Sequence, residues 1–206
     1  MAASRQTDSL THSSVDLDYD TIIVGAGMSG LYQLHRLREL GLRVRVLEAG
    51  TNVGGTWYWN RYPGARFDSE SYSYGYSFSK ELLEEWDWSE HFAGQPETLR
   101  YLNHVADKFD LRRDIQFRSR VTAAHYDEET RSWTLTLEDG SRFRTRFLIA
   151  AIGPLSTPTL PRRRPAWPRM RGIRAIRRKY RSLTRWTRAG AIARSSFTGG
   201  TRLLLF

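Results

Sequence analysis

Apolar positions along the chain follow two periods. Residues 21–24, Thr-Ile-Ile-Val, form a β-branched run without polar alternation, the pattern of a strand buried on both faces. From Leu31 the apolar residues recur at Leu34, Leu37 and Leu40, a helical spacing that Gly41 ends. Residues 43–47 predict a second strand. Residues 69–79 alternate serine or another small or polar residue with aromatics, which predicts a strand or an extended segment. Ser79 before residues 80–86 predicts a capped short helix. Gln95-Pro-Glu then opens a longer one, with a stripe of Leu99, Leu102, Val105, Ala106 and Phe109. Residues 115–117, 121–126 and 132–137 predict three β segments, with a turn at 127–130. Asp139-Gly140 is a hairpin signal, after which residues 142–151 return. The end of that return, 147–152, is wholly apolar and predicts a strand lying beside the first one in a parallel sheet. The expected fold is therefore α/β, with a parallel sheet and a small antiparallel β segment across residues 115–147.

Between the first strand and the first helix stands Gly25-Ala-Gly27-Met-Ser-Gly30. The first glycine permits a tight turn, the second lets a diphosphate approach the backbone, and the third lets helix and strand pack closely. The helix N-terminus adds free N–H groups and a positive dipole end. Glu48 ends the second strand, where a carboxylate can accept hydrogen bonds from the hydroxyls of an adenosine ribose. Strand, glycines, helix, strand and acid in this order point to dinucleotide binding in a Rossmann-like domain. The simpler alternative is that the glycines serve only turns. Gly54-Gly55-Thr56 offers further backbone N–H groups. The segment from Trp57 to Asp68 is dense in aromatics around a Pro63-Gly64 turn, which suits either a flat ring system or a packed aromatic patch.

Composition sharpens this picture. The chain has 206 residues, enough for one sizeable domain or one and a half. It has no cysteine, which removes disulfides, thiolate metal sites and cysteine nucleophiles and fits a cytoplasmic protein. His91, His104 and His125 are scattered without ligand spacing, so no metal is expected. No apolar run approaches membrane-spanning length, so no membrane partner is expected. Residues 1–18 read as a disordered polar leader. The net charge of +10 is uneven. Residues 162–206 hold thirteen arginines, Lys179 and no acid, which makes that tail +14 and leaves residues 1–161 at −4.

From about Tyr19 to Pro161 the chain resembles the N-terminal FAD-binding region of Baeyer–Villiger monooxygenases of the phenylacetone and cycloalkanone type. The resemblance is carried by Gly25-Ala-Gly-Met-Ser-Gly30 and by Gly54-Gly-Thr-Trp-Tyr-Trp-Asn-Arg-Tyr-Pro-Gly-Ala-Arg66 with Asp68-Ser-Glu-Ser71. Gln95-Pro-Glu, Tyr101, Ala106-Asp-Lys-Phe-Asp-Leu111 and the run from Ala150 to Pro161 complete it. It implies that Gly25, Gly27, Ser29 and Gly30 hold the FAD diphosphate and Glu48 the ribose. It makes Gly54 and Gly55 cofactor-binding, and places Thr56, Trp57, Tyr58 and Trp59 along the flavin side and Asp68 and Tyr74 near the isoalloxazine. Arg66, Phe67 and Asp68 would also touch NADPH, Asp68 being the catalytic candidate, and Val121 would meet the adenine through its backbone. The implied reaction uses NADPH and oxygen to convert a ketone to an ester or lactone, with the flavin supplying the chemistry.

The resemblance ends after Pro161. The histidine linker and second glycine motif with which the family continues are missing, so the FAD domain is expected to be incomplete and the chain inactive alone. The tail from residue 162 reads as a non-native segment, as a shifted reading frame in a GC-rich gene would produce. Two other readings compete for the tail: a nucleic-acid-binding arm in which Trp167, Tyr180 and Trp186 stack on bases, and a basic surface helix across 173–183. For the whole chain, a non-catalytic nucleotide-binding module and a flavin monooxygenase acting on nitrogen or sulfur stand as alternatives. Nucleic acid is not the expected partner.

Overall fold

A computed structural model describes residues 16–155 and the backbone of a short strand near the C-terminus. The leader up to residue 15, the proposed surface helix at 173–183 and the rest of the tail up to residue 202 lie outside the described residues. The elements are β1 (Tyr19–Val24), α1 (Met28–Glu39), β2 (Val44–Leu47), the short helices α2 (Thr56–Trp59), α3 (Ser71–Tyr74) and α4 (Lys80–Glu85), the long α5 (Gln95–Lys108), a 3-10 turn (Arg112–Asp114), β3 (Ile115–Gln116), β4 (Val121–Asp127), β5 (Ser132–Leu137), β6 (Arg142–Ala150) and β7 (Leu203–Leu205). None of the described helices is long and apolar enough to cross a membrane.

One mixed sheet organises these elements in the order β3-β2-β1-β6-β5-β4, with β7 also beside β6. β1 pairs in parallel with β2 on one side, Ile23 opposite Val46, and with β6 on the other, Ile23 opposite Ile149. β4, β5 and the start of β6 form an antiparallel meander. The parallel strands are buried on both faces, so successive residues enter different cores. Ile23, Val46 and Ile149 join the larger core under α1 and α5, while Ile22, Leu47 and Leu148 join a second core with Trp133, Leu135 and Leu137. The meander strand β5 shows the other pattern, with three alternate apolar residues all sent to one core. Each fully buried Leu or Ile contributes about 1.5–3 kcal/mol of transfer free energy.

Three expectations change. Residues 69–79 are not a strand: α3 forms there, because Ser71 is held from outside, its hydroxyl donating to the Glu90 carbonyl at 2.6 Å. Ile115–Gln116 does not belong to the antiparallel segment but pairs in parallel with β2, Ile115 opposite Val46. The helical stripe of α1 stops before Leu40, which is 73% exposed. There Gly41 adopts φ 75°, and the N–H groups of Gly41 and Leu42 donate to the carbonyls of Arg38 and Leu37, the paired bonds of a Schellman cap.

The remaining elements follow the sequence pattern. Ser79 Oγ caps α4 by accepting the Leu82 N–H. α5 carries a proline in its first turn and buries Tyr101, Leu102, Val105 and Ala106. The apolar end of β6 lies beside β1, as expected. The tail contributes one strand, β7, which runs parallel to β6.

Candidate cofactor site

The carboxyl ends of β1, β2 and β6 meet on one edge of the sheet. Because β2 and β3 extend to one side of β1 and β6 to the other, this edge is a topological switch point, where open α/β sheets form a ligand crevice. Gly25 ends β1 with φ 105°, and a Cβ there would sit 2.6 Å from the Ala151 carbonyl oxygen. A Cβ on Gly30 would lie 1.9 Å from the Gly25 carbonyl oxygen, so α1 reaches the turn only because residue 30 lacks a side chain. Gly27 caps α1 without any side-chain hydrogen bond to the first turn. The leading N–H groups of this twelve-residue helix, those of Ser29 and Gly30 among them, therefore point into the crevice without an intrahelical partner.

Glu48 closes the opposite side of this turn. It is 5% exposed and accepts two backbone N–H groups, Ala26 on Oε2 at 2.7 Å and Gly50 on Oε1 at 2.6 Å. The carbonyl of Ala26 accepts the Gly54 N–H at 2.9 Å, so the peptide groups on both sides of Ala26 are clamped. Gly54 and Gly55 have positive φ, and a Cβ on Gly55 would lie 2.8 Å from Gly27 Cα. The glycine turn and the Gly54-Gly55 link thus run backbone to backbone, an approach that requires glycine at position 55. Each Glu48 oxygen keeps a further acceptor position.

Beyond the link, α2 buries Trp57, whose Nε1–H donates to the Tyr74 hydroxyl at 2.8 Å. Phe67 and Tyr74 stack with centroids 4.2 Å apart at 6°, and Trp57 meets both edge-on. Burial raises the Tyr74 pKa above its ordinary value, and the Trp57 bond partly offsets this. Tyr58 turns the other way. Its hydroxyl bonds Thr51, which lowers its pKa, and the Arg61 guanidinium lies over its ring. Trp59 is 43% exposed. Arg66 donates to the Glu90 carboxylate and to the Phe92 carbonyl, both at 2.9 Å, while Asp68 is exposed on the loop that follows Phe67. Val121, the first residue of β4, follows Ser119, whose N–H donates to the Glu48 carbonyl at 2.8 Å.

The predicted residues therefore fall into two connected groups. Gly25, Gly27, Ser29, Gly30, Glu48, Gly54 and Gly55 form the backbone cradle, and Val121 stands two residues after Ser119, which bonds the Glu48 carbonyl. Trp57, Phe67 and Tyr74 form an aromatic wall, with Thr56, Tyr58, Trp59, Arg66 and Asp68 around it. Sequence reasoning did not find the supports behind the wall. Tyr76 donates its hydroxyl to the Met28 carbonyl at 2.6 Å, the Tyr101 hydroxyl accepts the Tyr76 N–H at 2.7 Å, and buried Gln95 donates to the Trp57 carbonyl. Gln95 and Tyr101 belong to stretches that carry the resemblance, but no local pattern marks the supporting role of these residues, because each acts across more than twenty positions. Among the described residues no cluster of three His, Cys, Asp or Glu could hold a metal ion.

The family of NAD(P)-binding Rossmann-like domains matches residues 23–82. An acetone monooxygenase (methyl acetate-forming) of Gordonia sp. (strain TY-5) is 53% identical over 139 residues, which are 68% of this chain and 26% of that protein. A phenazine N-monooxygenase of Lysobacter antibioticus is 49% identical over 144 residues, 69% of this chain and 27% of that protein. A crystal structure of OTEMO in complex with FAD and NADP superposes with a TM-score of 0.69 at 48% identity, covering 73% of this chain and 29% of that one. The chain spans about a quarter of the length of the curated relatives it matches. Over about 70% of its length the chain is similar to Baeyer–Villiger and cyclohexanone monooxygenases, and it matches a segment of their larger fold.

Proposed function

We propose that residues 19–161 are the FAD-binding part of an NADPH-dependent monooxygenase that oxidises ketones to esters or lactones. The observation that carries this reading is the Ala26 clamp: one carboxylate and one glycine link hold an uncapped helix N-terminus open at the sheet's switch point. Such a cradle suits a diphosphate. Gly25, Gly27, Ser29 and Gly30 would hold it there, and Glu48 would use its remaining acceptor positions on the ribose. Val121 would lie along the adenine. Gly54, Gly55, Thr56, Trp57, Tyr58, Trp59 and Tyr74 would line the flavin half, with Arg66, Phe67 and Asp68 facing the nicotinamide cofactor. Bound FAD supplies the redox and oxygen chemistry. The chain's own residues exclude water, fix orientation and place the Asp68 carboxylate at the rim.

The whole reaction belongs to a longer assembly. The 206 residues contain one Gly-x-Gly-x-x-Gly only, so a full NADPH site and steady turnover are not expected of this chain. We read the protein as cytoplasmic, its basic tail as a segment from a shifted frame, and residues 19–161 as the N-terminal part of an FAD-binding domain. A flavin spectrum tests the cofactor reading: purified protein reconstituted with FAD retains a yellow chromophore through gel filtration. A colourless protein after saturating FAD refutes it. A second reading, oxidation at nitrogen, is favoured by the phenazine N-monooxygenase relative.

A further inference from the structure

We infer that Arg112, acting through Asn52 on the Gly54-Gly55 link, is a positioning residue for the FAD diphosphate, on the reading of the glycine turn proposed above. Arg112 opens the 3-10 turn after α5, 60 positions from the loop that it reaches. Its planar guanidinium donates in three directions. Nε–H donates to Asp107 Oδ1 at 2.5 Å, Nη2–H to Asn103 Oδ1 at 2.6 Å and Nη1–H to Asn52 Oδ1 at 2.8 Å. The first two acceptors belong to α5, and the third to the loop between β2 and α2. Asn52 Oδ1 also accepts the Val53 N–H at 2.8 Å, and the Val53 side chain is buried in the larger core. Val53 leads directly into Gly54, whose N–H donates to the Ala26 carbonyl at 2.9 Å. From α5 through the guanidinium, Asn52 and the link, these bonds end on the turn that would receive the diphosphate. Gly54 and Gly55 have positive φ and no side chain to hold them, so the link takes its position from its anchors. A guanidinium that served α5 alone would need no acceptor on the loop.

Asn52→Ala removes the loop acceptor and leaves the bonds to Asp107 and Asn103, which separates this role from a local one on α5. Residue-resolved amide hydrogen exchange on the full chain without FAD reads the link. Asn52→Ala and Arg112→Ala each accelerate exchange at Gly54 by about tenfold or more. The Gly25 N–H, bonded to the Leu47 carbonyl at 2.9 Å, keeps its parent rate, which a general loosening of the fold would not allow. Asn52→Asp retains acceptor oxygens for Arg112 and Val53 and stays within about twofold of the parent. Fluorescence titration with FAD follows the same order: affinity falls by about tenfold in both alanine variants and returns in Asn52→Asp. The double alanine variant loses no more than the larger single loss, because both residues act on one path. Unchanged Gly54 exchange in either alanine variant overturns the inference. So does parent-like FAD affinity in a variant whose link has loosened. A parent chain that binds no FAD refutes the cofactor reading and with it the diphosphate role, a result distinct from the others because Gly54 exchange is read without FAD.

Discussion

Glu48 Oε2 accepts the N–H of Ala26 at 2.7 Å, which ties the end of β2 to the turn that ends β1 before any cofactor arrives. The second oxygen holds the Gly50 N–H. Glu48→Gln keeps the shape but replaces one acceptor oxygen with a donor, so one of the two buried N–H groups loses its partner. The expected cost is about 1–3 kcal/mol of stability without cofactor. FAD affinity should fall by about tenfold or more, because the ribose acceptor is weakened as well. Thermal unfolding of the apo chain and fluorescence titration with FAD separate the two effects. A variant as stable as the parent would show that the clamp contributes nothing before binding.

The glycines of the turn differ in purpose, and two alanine substitutions separate them. A Cβ at Gly30 would lie 1.9 Å from the Gly25 carbonyl oxygen. Gly30→Ala therefore forces the helix off the strand and should cost more than about 3 kcal/mol. Gly27 has φ −80°, open to any residue, and its Cβ would make ordinary contacts with Gly55, Cα at 3.4 Å and N at 3.9 Å. Gly27→Ala should stay within about 1 kcal/mol of the parent. Its methyl group would stand where the diphosphate must approach, so FAD affinity should still fall by about tenfold or more. Chemical denaturation and FAD titration of both variants check this. Full FAD affinity in Gly27→Ala would remove the diphosphate from this turn.

How far the sequence revealed the site depends on the range of the interactions. Gly25, Gly30 and Glu48 are legible because the turn, the helix start and the strand end lie within thirty residues and each demands a residue type. The β6 return is legible because a wholly apolar run must be buried on both faces. The segment 69–79 misleads: its alternation imitates a strand, yet Ser71 is bonded to the carbonyls of Glu90 and His91, which no local pattern encodes. Leu40 misleads for a simpler reason. The helical period continues one step past Glu39, the last helical residue, into the cap that Gly41 completes. The supporting contacts of Tyr76, Gln95 and Tyr101 are not legible, although Gln95 and Tyr101 help carry the resemblance, because their partners are set by how α5 packs under the aromatic wall.

The Trp57 to Tyr74 hydrogen bond gives a spectroscopic prediction. Burial already raises the Tyr74 pKa, and the indole N–H works against that rise. Trp57→Phe keeps an aromatic ring but removes the donor. The Tyr74 phenol should then titrate at higher pH than in the parent chain, read as delayed phenolate absorbance in an alkaline titration. The lost bond and the smaller ring should cost about 1–3 kcal/mol. Earlier ionisation of Tyr74 in the variant would contradict the assigned direction.

Alkaline pH should unfold this domain through the tyrosines that support the wall. Burial pushes Tyr101 up to about 12 and Tyr76 well above its ordinary value. In the unfolded chain both ionise near pH 10. Between these values the unfolded state holds fewer protons than the folded one, so stability falls as pH rises. Below pH 10 the full contribution is present. Tyr101 alone changes the slope by at most about 1.4 kcal/mol per pH unit. Tyr58 acts in the opposite sense, since its bond to Thr51 lowers its pKa, and it softens the onset. Tyr101→Phe distinguishes this linkage from general base damage. It leaves the Tyr76 N–H without its acceptor, which should cost about 1–3 kcal/mol at neutral pH, yet it removes one titrating group and so flattens the alkaline slope. Urea unfolding of both chains at pH 8, 10 and 11 measures the two effects together, and parallel pH profiles would rule out Tyr101 as the source.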